Sequence, residues 1–102
     1  MLEKINLNKV LFLDIETVPQ FENYKDVPER LQKLWDTKAG FLARNEESPE
    51  ELYDRAGIYA EFGKIVCISV GYIREGEIRL KSFFSDNELE LLHEFTEMLN
   101  QY

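Results

Sequence analysis

The sequence is short of features that would indicate several common classes of protein. It has one cysteine, Cys67, among 102 residues, so an internal disulfide framework is excluded and a reducing compartment is expected. No apolar run approaches the roughly 18 residues of a membrane-spanning helix, and residues 1–9 contain no apolar stretch of signal-peptide length. Low-complexity runs and internal repeats are absent. The sequence therefore predicts a globular, cytoplasmic chain of at most one domain, with no membrane contact.

Positive charge is also scarce. The 20 acidic residues outnumber the 12 basic ones, which gives a formal net charge of −8. Surfaces that hold nucleic acid by bulk electrostatics use Lys and Arg to neutralise phosphates, so the charge argues against that mode of binding. A site in which metal ions supply the positive charge remains compatible with an acidic chain. Glycine-rich phosphate loops, zinc-type Cys/His spacing and a serine-nucleophile elbow do not occur.

The hydrophobic pattern predicts strand, helical insertion, strand, strand and helix, an order typical of an α/β domain with an antiparallel meander. Residues 9–16 are expected to form a strand that is buried on both faces and stopped by Pro19. In the insertion, a first helix begins near Pro28 and is broken by Gly40. A second begins at Ser48 with a capping box and is expected to continue beyond Ala56.

The second half of the chain predicts a hairpin and a covering helix. Residues 64–73 and 78–84 are rich in apolar and β-branched side chains, and Gly76 lies in the turn between them. Asp86 is expected to cap the following helix. Apolar positions at helical spacing predict the buried stripe of that helix: Leu89, Leu92, Phe95, Met98 and Leu99. Cys67 is expected to be a small buried residue of the strand.

The motif whose side chains could support catalysis is Asp14-Ile15-Glu16-Thr17. In a strand, Asp14 and Glu16 lie on the same face because side chains alternate. Two close carboxylates repel unless a cation or protons compensate, and Mg²⁺ and Mn²⁺ prefer oxygen ligands. The spacing fits a two-metal phosphodiester hydrolase. Strand ends that face solvent also carry paired acids, so the spacing by itself leaves a structural interpretation open.

The residues around the motif resemble a known family. Lys-Val-Leu-Phe-Leu-Asp-Ile-Glu-Thr-Val-Pro, residues 9–19, resembles the first motif of the DnaQ-like (DEDD) 3′–5′ exonucleases, in particular the subgroup related to the proofreading domain of family B DNA polymerases. Residues 60–71 resemble the entry to the second strand in that subgroup. The resemblance implies a ribonuclease H-like fold. Residues 1–102 would be the N-terminal portion of one exonuclease domain, with a helical insertion at about 20–62 and the C-terminal half absent.

The resemblance also assigns roles to the residues of the motif. Asp14 and Glu16 would bind two Mg²⁺ or Mn²⁺ ions and catalyse hydrolysis of the terminal phosphodiester at a DNA 3′ end, expected to be single-stranded. Ile15, Thr17 and Val18 would contact the 3′-terminal nucleotide. Two alternatives remain, a Thr17 hydroxyl that satisfies a local backbone group and a Val18 side chain that packs in the core.

Later motifs of the family have no counterpart in this sequence. The family pattern has a second motif with an Asp and a third with an Asp and a Tyr or His, whereas His93 is interpreted as an exposed helix residue. The 102-residue chain is therefore expected to have little or no activity by itself. Two other functions stay open: a non-catalytic module that oligomerises or binds a partner through an exposed sheet edge, and an Asp-x-Glu metal phosphohydrolase outside this superfamily. A first strand at the sheet edge would favour the latter.

The aromatic residues of the insertion allow two interpretations. They could form a stacking surface for single-stranded nucleic acid, or they could form a core because they recur at helical spacing. The core is the favoured interpretation for all four: Trp35, Tyr53, Tyr59 and Phe62.

Overall fold

A computed structural model describes residues 2–101. Over these residues the protein is a mixed α/β structure with three α-helices and a three-stranded antiparallel sheet of order β1-β2-β3. The strands are β1 (Leu11–Pro19), β2 (Gly63–Arg74) and β3 (Glu77–Phe84), and the α-helices are α1 (Glu29–Leu42), α2 (Pro49–Leu52) and α3 (Glu88–Gln101). Short 3₁₀ helices are Leu2–Lys4, Leu7–Lys9, Tyr24–Asp26 and Tyr53–Ile58. No helix within residues 2–101 is both long and apolar enough to span a membrane.

The chain divides into two compact units. The sheet unit contains the described residues up to Glu16 together with those from Ile65 onwards, and the insertion unit is Thr17–Lys64. The second unit nearly coincides with the helical insertion that the sequence predicts at about 20–62.

The hairpin of the sheet unit follows its turn chemistry. Glu75 and Gly76 both have positive φ, 53° and 79°, and Arg74 pairs with Glu77 across the two-residue turn. Such turns match the right-handed twist of the flanking strands, and glycine adopts positive φ without a steric cost. The predicted strands and the predicted role of Gly76 are confirmed. Antiparallel pairing continues from this turn to Cys67 and Phe84.

One face of the sheet is covered by α3. The buried residues are Ile68, Val70 and Phe83 of the sheet and Leu91 of the helix. Around them pack partly buried apolar residues from β1, β2 and α3: Leu11, Ile65, Phe95 and Met98. Burial of these side chains, at about 25 cal/mol per Å² of apolar surface, holds the helix against the sheet.

Two predictions about α3 are wrong in detail. Its N-cap is Asn87, whose side chain accepts a hydrogen bond from Glu90 N at 3.2 Å, and Asp86 lies one residue before the cap. The inner stripe runs through Leu91, Phe95 and Met98, while Leu89 is exposed. A stripe at i, i+4 and i+7 lies on one side of the helix, and the predicted stripe began at a leucine outside that side.

β1 is a strand that ends at Pro19, as predicted, but it is not buried on both faces. Phe12, Leu13 and Ile15 are all exposed. Among residues 2–101 this strand forms one edge of the sheet. Phe12 lies on the side that α3 does not cover, and on the other side only Leu11 packs in the core. The four-residue apolar run from Val10 to Leu13 therefore predicts the strand correctly, but the burial on both faces that such a run indicates is wrong here.

The insertion unit has its own core, built around Trp35. This side chain is fully buried, and its ring centroid lies 5.1 Å from Phe62, 5.8 Å from Tyr53 and 6.2 Å from Tyr59. The rings of Phe62 and Tyr53 meet it edge to face, an arrangement that aromatic pairs prefer. The indole N–H donates to the carbonyl of Pro49 at 2.8 Å, so the buried ring leaves no polar atom unpaired.

Of the predictions for the helices of this unit, the capping box is confirmed and the two predicted helix ends are wrong. Ser48 caps α2, and it and Glu51 form both hydrogen bonds of the predicted capping box. The predicted continuation of α2 is wrong, because Tyr53–Ile58 is a 3₁₀ helix. The predicted break at Gly40 is also wrong, since α1 continues to Leu42. A helical glycine costs only about 1 kcal/mol relative to alanine, and the packing of Leu42 against the core offsets a cost of that size.

Candidate metal centre

Asp14 and Glu16 lie on one side of β1. Both belong to this strand, and alternation places them on the same side as Phe12. Their Cα atoms are about 7 Å apart, two residues of strand rise. Both side chains are exposed. The expectation that this strand is buried on both faces is therefore wrong for the two acids.

The side of the sheet that carries the acids is identified by Gly71. A Cβ at Gly71 would lie 3.7 Å from Phe12 Cβ and 3.0 Å from Leu80 Cδ2, so these positions share a face. Ser69 and Ser82 also lie on it, and their hydroxyl oxygens are 2.8 Å apart. We call this surface the open face. It comprises Phe12, Asp14, Glu16, Cys67, Ser69, Gly71, Ile78, Leu80, Ser82 and Phe84.

The open face is unusually apolar for an exposed surface. The exposed fractions are 51% for Phe12, 72% for Ile78, 81% for Leu80 and 77% for Phe84. Single exposed apolar residues are ordinary, but a contiguous group of them marks an interaction surface. In the sequence, residues 78–84 predict only a strand. The sequence does not show which face of the sheet α3 covers, so it could not predict that the apolar residues of this strand lie on the exposed face.

The other residues predicted to contact substrate are distributed as follows. Ile15 points to the opposite side of β1 from Asp14 and Glu16, because side chains alternate, and it is exposed. Thr17 and Val18 belong to the insertion unit, Thr17 being partly buried and Val18 exposed. The alternative that Val18 packs in the core is therefore not supported. The backbone of Val18 packs closely against Gly57.

Three further predictions concern residues outside the motif. Of the four aromatic residues predicted to form a core, Trp35, Tyr53 and Phe62 are buried, and Tyr59 packs against them partly buried. His93 is an exposed helix residue, also as predicted, and its Nε2 lies 3.4 Å from Glu97 Oε1. Cys67 is only partly buried, with its sulfur 3.8 Å from the Ser69 hydroxyl, so the prediction that it is buried is wrong.

The donor chemistry at Asp14 and Glu16 suits a hard divalent cation. Mg²⁺ is commonly bound through one or two carboxylates together with waters and substrate phosphates, and two exposed carboxylates on one side of a strand provide the protein part of that set. Within residues 2–101 no three His, Cys, Asp or Glu side chains are grouped so that they could hold a metal together. Of the ligands that an ion needs, the described residues thus offer the two carboxylates of Asp14 and Glu16. A second ion would need ligands beyond this pair.

Comparisons with protein-family models, curated proteins and solved structures found no match for this chain.

Proposed function

We propose that this chain is the N-terminal portion of a metal-dependent 3′–5′ exonuclease of ribonuclease H-like fold, which hydrolyses the terminal phosphodiester of single-stranded DNA in the cytoplasm. The observation that carries the proposal is the exposed acid pair, Asp14 and Glu16, on one side of β1. The resemblance of residues 9–19 to the first DnaQ-like motif supports it. So does the sequence of three antiparallel strands followed by a helix, the order with which that family begins.

In this proposal the residues of the motif have separate tasks. Asp14 and Glu16 hold Mg²⁺ or Mn²⁺, and the bound ions stabilise the charge that develops on the phosphate oxygens. Ile15, Thr17 and Val18 contact the 3′-terminal nucleotide and orient it. The chain supplies two of the four acids of the family pattern, so the 102 residues by themselves have little or no hydrolytic activity.

Metal binding is the first test, because it does not require turnover. In NMR spectra of the protein, substoichiometric Mn²⁺ should broaden the backbone amide signals of residues 13–17 before others. The double variant Asp14→Asn/Glu16→Gln should abolish this local broadening. Asp54→Asn, which removes an exposed carboxylate in the insertion unit, serves as the matched control and should leave it unchanged. Broadening that is centred elsewhere, or that survives the double variant, would contradict the proposal.

Hydrolysis is the second test, and it separates this reaction from a related one. Because β1 lies at an edge of the sheet within residues 2–101, this one observation favours the alternative, an Asp-x-Glu phosphohydrolase outside this superfamily. Any weak Mg²⁺-dependent degradation should start from the 3′ end of a 5′-labelled oligonucleotide and stop when that end is blocked. Activity that ignores the block favours the unrelated hydrolase. Rates that Asp14→Ala does not change would refute both.

A second candidate function is a non-catalytic module that forms homo-oligomers or binds a partner. The observation that favours it is the apolar content of the open face, combined with the exposed edge of β1. Such surfaces associate unless they are covered. Multi-angle light scattering should then show a concentration-dependent oligomer that Leu80→Ser weakens. Leu89→Ser is the matched control, since Leu89 is exposed to a similar extent, 79% against 81% for Leu80, but lies on α3. A monomer at high concentration would count against this function.

A further inference from the structure

Three basic side chains of the sheet unit line a single concavity of about 640 Å³. They are Lys9, Arg74 and Lys81, and none of the Asp or Glu residues within 2–101 lines it. The chain has 12 basic and 20 acidic residues, so an even distribution of charged residues over the surface would not give such a local excess of positive charge. The volume falls in the range of small-molecule sites, about 300–1,000 Å³.

The strand arrangement explains why these residues meet. Lys9 lies two residues before the start of β1, and Arg74 ends β2. In an antiparallel pair the start of one strand lies beside the end of its neighbour. Lys81 is the cross-strand partner of Val70 in the register of β2 and β3. These positions are far apart in sequence, so no local motif reveals them. Lys9 is five residues from Asp14, about 17 Å along an extended chain.

The charges in this concavity are poorly neutralised. Glu77, opposite Arg74 in the hairpin, has its carboxylate 3.3 Å from the Arg79 guanidinium. No ion pair of Lys9, Arg74 or Lys81 is found among residues 2–101. Lys81 is the least available of the three. It also lines an adjoining groove that contains Glu94 and Glu97, and its ammonium lies 4.9 Å from the ring centroid of Phe83.

Apolar side chains also line the concavity, and its other polar groups are uncharged. Val70 and Met98 of the sheet unit core contribute to its lining, and Asn8 and Gln101 add amides. Arg and Lys recognise phosphate through charge-assisted hydrogen bonds.

We propose that this concavity binds the phosphate groups of a ligand, with Lys9 and Arg74 as the principal contacts and Lys81 as a weaker third. The chemistry is shared by phosphorylated small molecules and by the backbone of a nucleic acid. The site does not depend on metal binding at Asp14 and Glu16.

The test is an NMR titration of the 102-residue protein with pyrophosphate, in the presence of a chelator so that divalent ions do not contribute. Saturable shifts are expected at the amides of Lys9, Tyr72 and Arg74. Arg74→Gln and Lys9→Gln should each weaken binding about tenfold, the equivalent of losing one charge-assisted hydrogen bond. Lys81→Gln should weaken it about threefold, because Glu94 and Glu97 already offset part of that charge.

Arg30→Gln provides the matched control, since it removes an equal charge from an exposed position of the insertion unit. It should leave the affinity within twofold. Absence of saturable shifts at the three amides overturns the proposal. So does equal weakening by Arg30→Gln and Arg74→Gln, which would indicate a response to net charge only.

A second titration distinguishes the two sources of phosphate. A short single-stranded oligonucleotide that displaces pyrophosphate and binds more tightly identifies a nucleic-acid backbone as the ligand. A nucleoside triphosphate that binds more tightly than the oligonucleotide identifies a phosphorylated small molecule. Both results support a phosphate site. Failure of both compounds to displace pyrophosphate overturns it.

Discussion

Two glycines of the insertion unit should respond to the same substitution with opposite signs. Gly57 is buried, and a Cβ at this position would lie 2.8 Å from the carbonyl carbon of Val18, 3.0 Å from its Cα and 3.1 Å from Pro19 N. All three are backbone atoms, so no side-chain rotation relieves the clash. Overpacking of this kind costs about 1–3 kcal/mol. Gly57→Ala should therefore lower the free energy of unfolding by that amount.

Gly40 provides the control within the same unit. It lies in α1, and a Cβ at this position would meet no atom within 4 Å. Alanine in a helix is more favourable than glycine by about 0.5–1 kcal/mol. Gly40→Ala should raise the free energy of unfolding by up to this amount. The two variants should thus differ by roughly 1.5–4 kcal/mol, the sum of the two ranges.

The assay is urea denaturation followed by tryptophan fluorescence. Trp35 is the only tryptophan of the chain and is fully buried in the core of the unit that contains both glycines. Its emission therefore reports unfolding of the relevant part. A Gly57→Ala variant as stable as the unsubstituted protein would show that the backbone of Val18 does not lie within contact distance of Gly57. Val18 and Pro19, which follow Asp14-Ile15-Glu16-Thr17, would then not pack against Gly57.

Two further predictions concern hydrogen bonds of the insertion unit. The Tyr24 hydroxyl donates to Asp36 at 2.5 Å, and mainly this bond raises the pKa of Tyr24 to about 12. Because the pKa is raised on folding, the associated stability is present below about pH 10 and is lost as pH rises toward about 12. In a spectrophotometric titration one tyrosine should ionise last, and Asp36→Asn should remove that delay; an unchanged titration would contradict it. Ser48→Ala removes the N-cap of α2 and should cost about 1 kcal/mol in urea denaturation, and no loss would show that the capping box contributes nothing.

Predictions from the sequence succeeded where a few adjacent residues determine the structure. Gly76 marks a tight turn because its backbone tolerates positive φ. Ser48 and Glu51 form a capping box because both partners lie within one helical turn. These signals do not depend on the rest of the chain, so the hairpin and the start of α2 were predictable.

Predictions failed where distant packing decides. The run before Asp14 predicts a strand, but its burial depends on what lies against each face, and within residues 2–101 only one face is covered. The helix break at Gly40 was overruled by tertiary contacts of Leu42. The contact with the sheet decides which side of α3 is buried. The helical spacing alone therefore could not predict that Leu91 is buried and Leu89 is exposed.

The candidate site shows the same division. Asp14 and Glu16 are two residues apart, so strand geometry alone places their carboxylates on a shared side. The composition of that side could not be predicted, since Phe12 and Leu80 become neighbours only through Gly71 of the intervening strand. The convergence of Lys9 and Arg74 similarly depends on how β1 and β2 pair.

The open face connects the two candidate functions through the cost of burying charge. A partner that covers Phe12 and Leu80 would also withdraw Asp14 and Glu16 from water, because all four side chains lie on that face. Burying two carboxylates without compensation is strongly unfavourable. Association through this face therefore requires a cation at the acid pair, supplied either by a divalent ion or by basic side chains of the partner. Since linkage is reciprocal, a divalent ion bound at Asp14 and Glu16 would strengthen self-association through the apolar residues. The alternative, self-association independent of both the ion and the acids, would place the interface on the edge of β1 and leave the open face exposed.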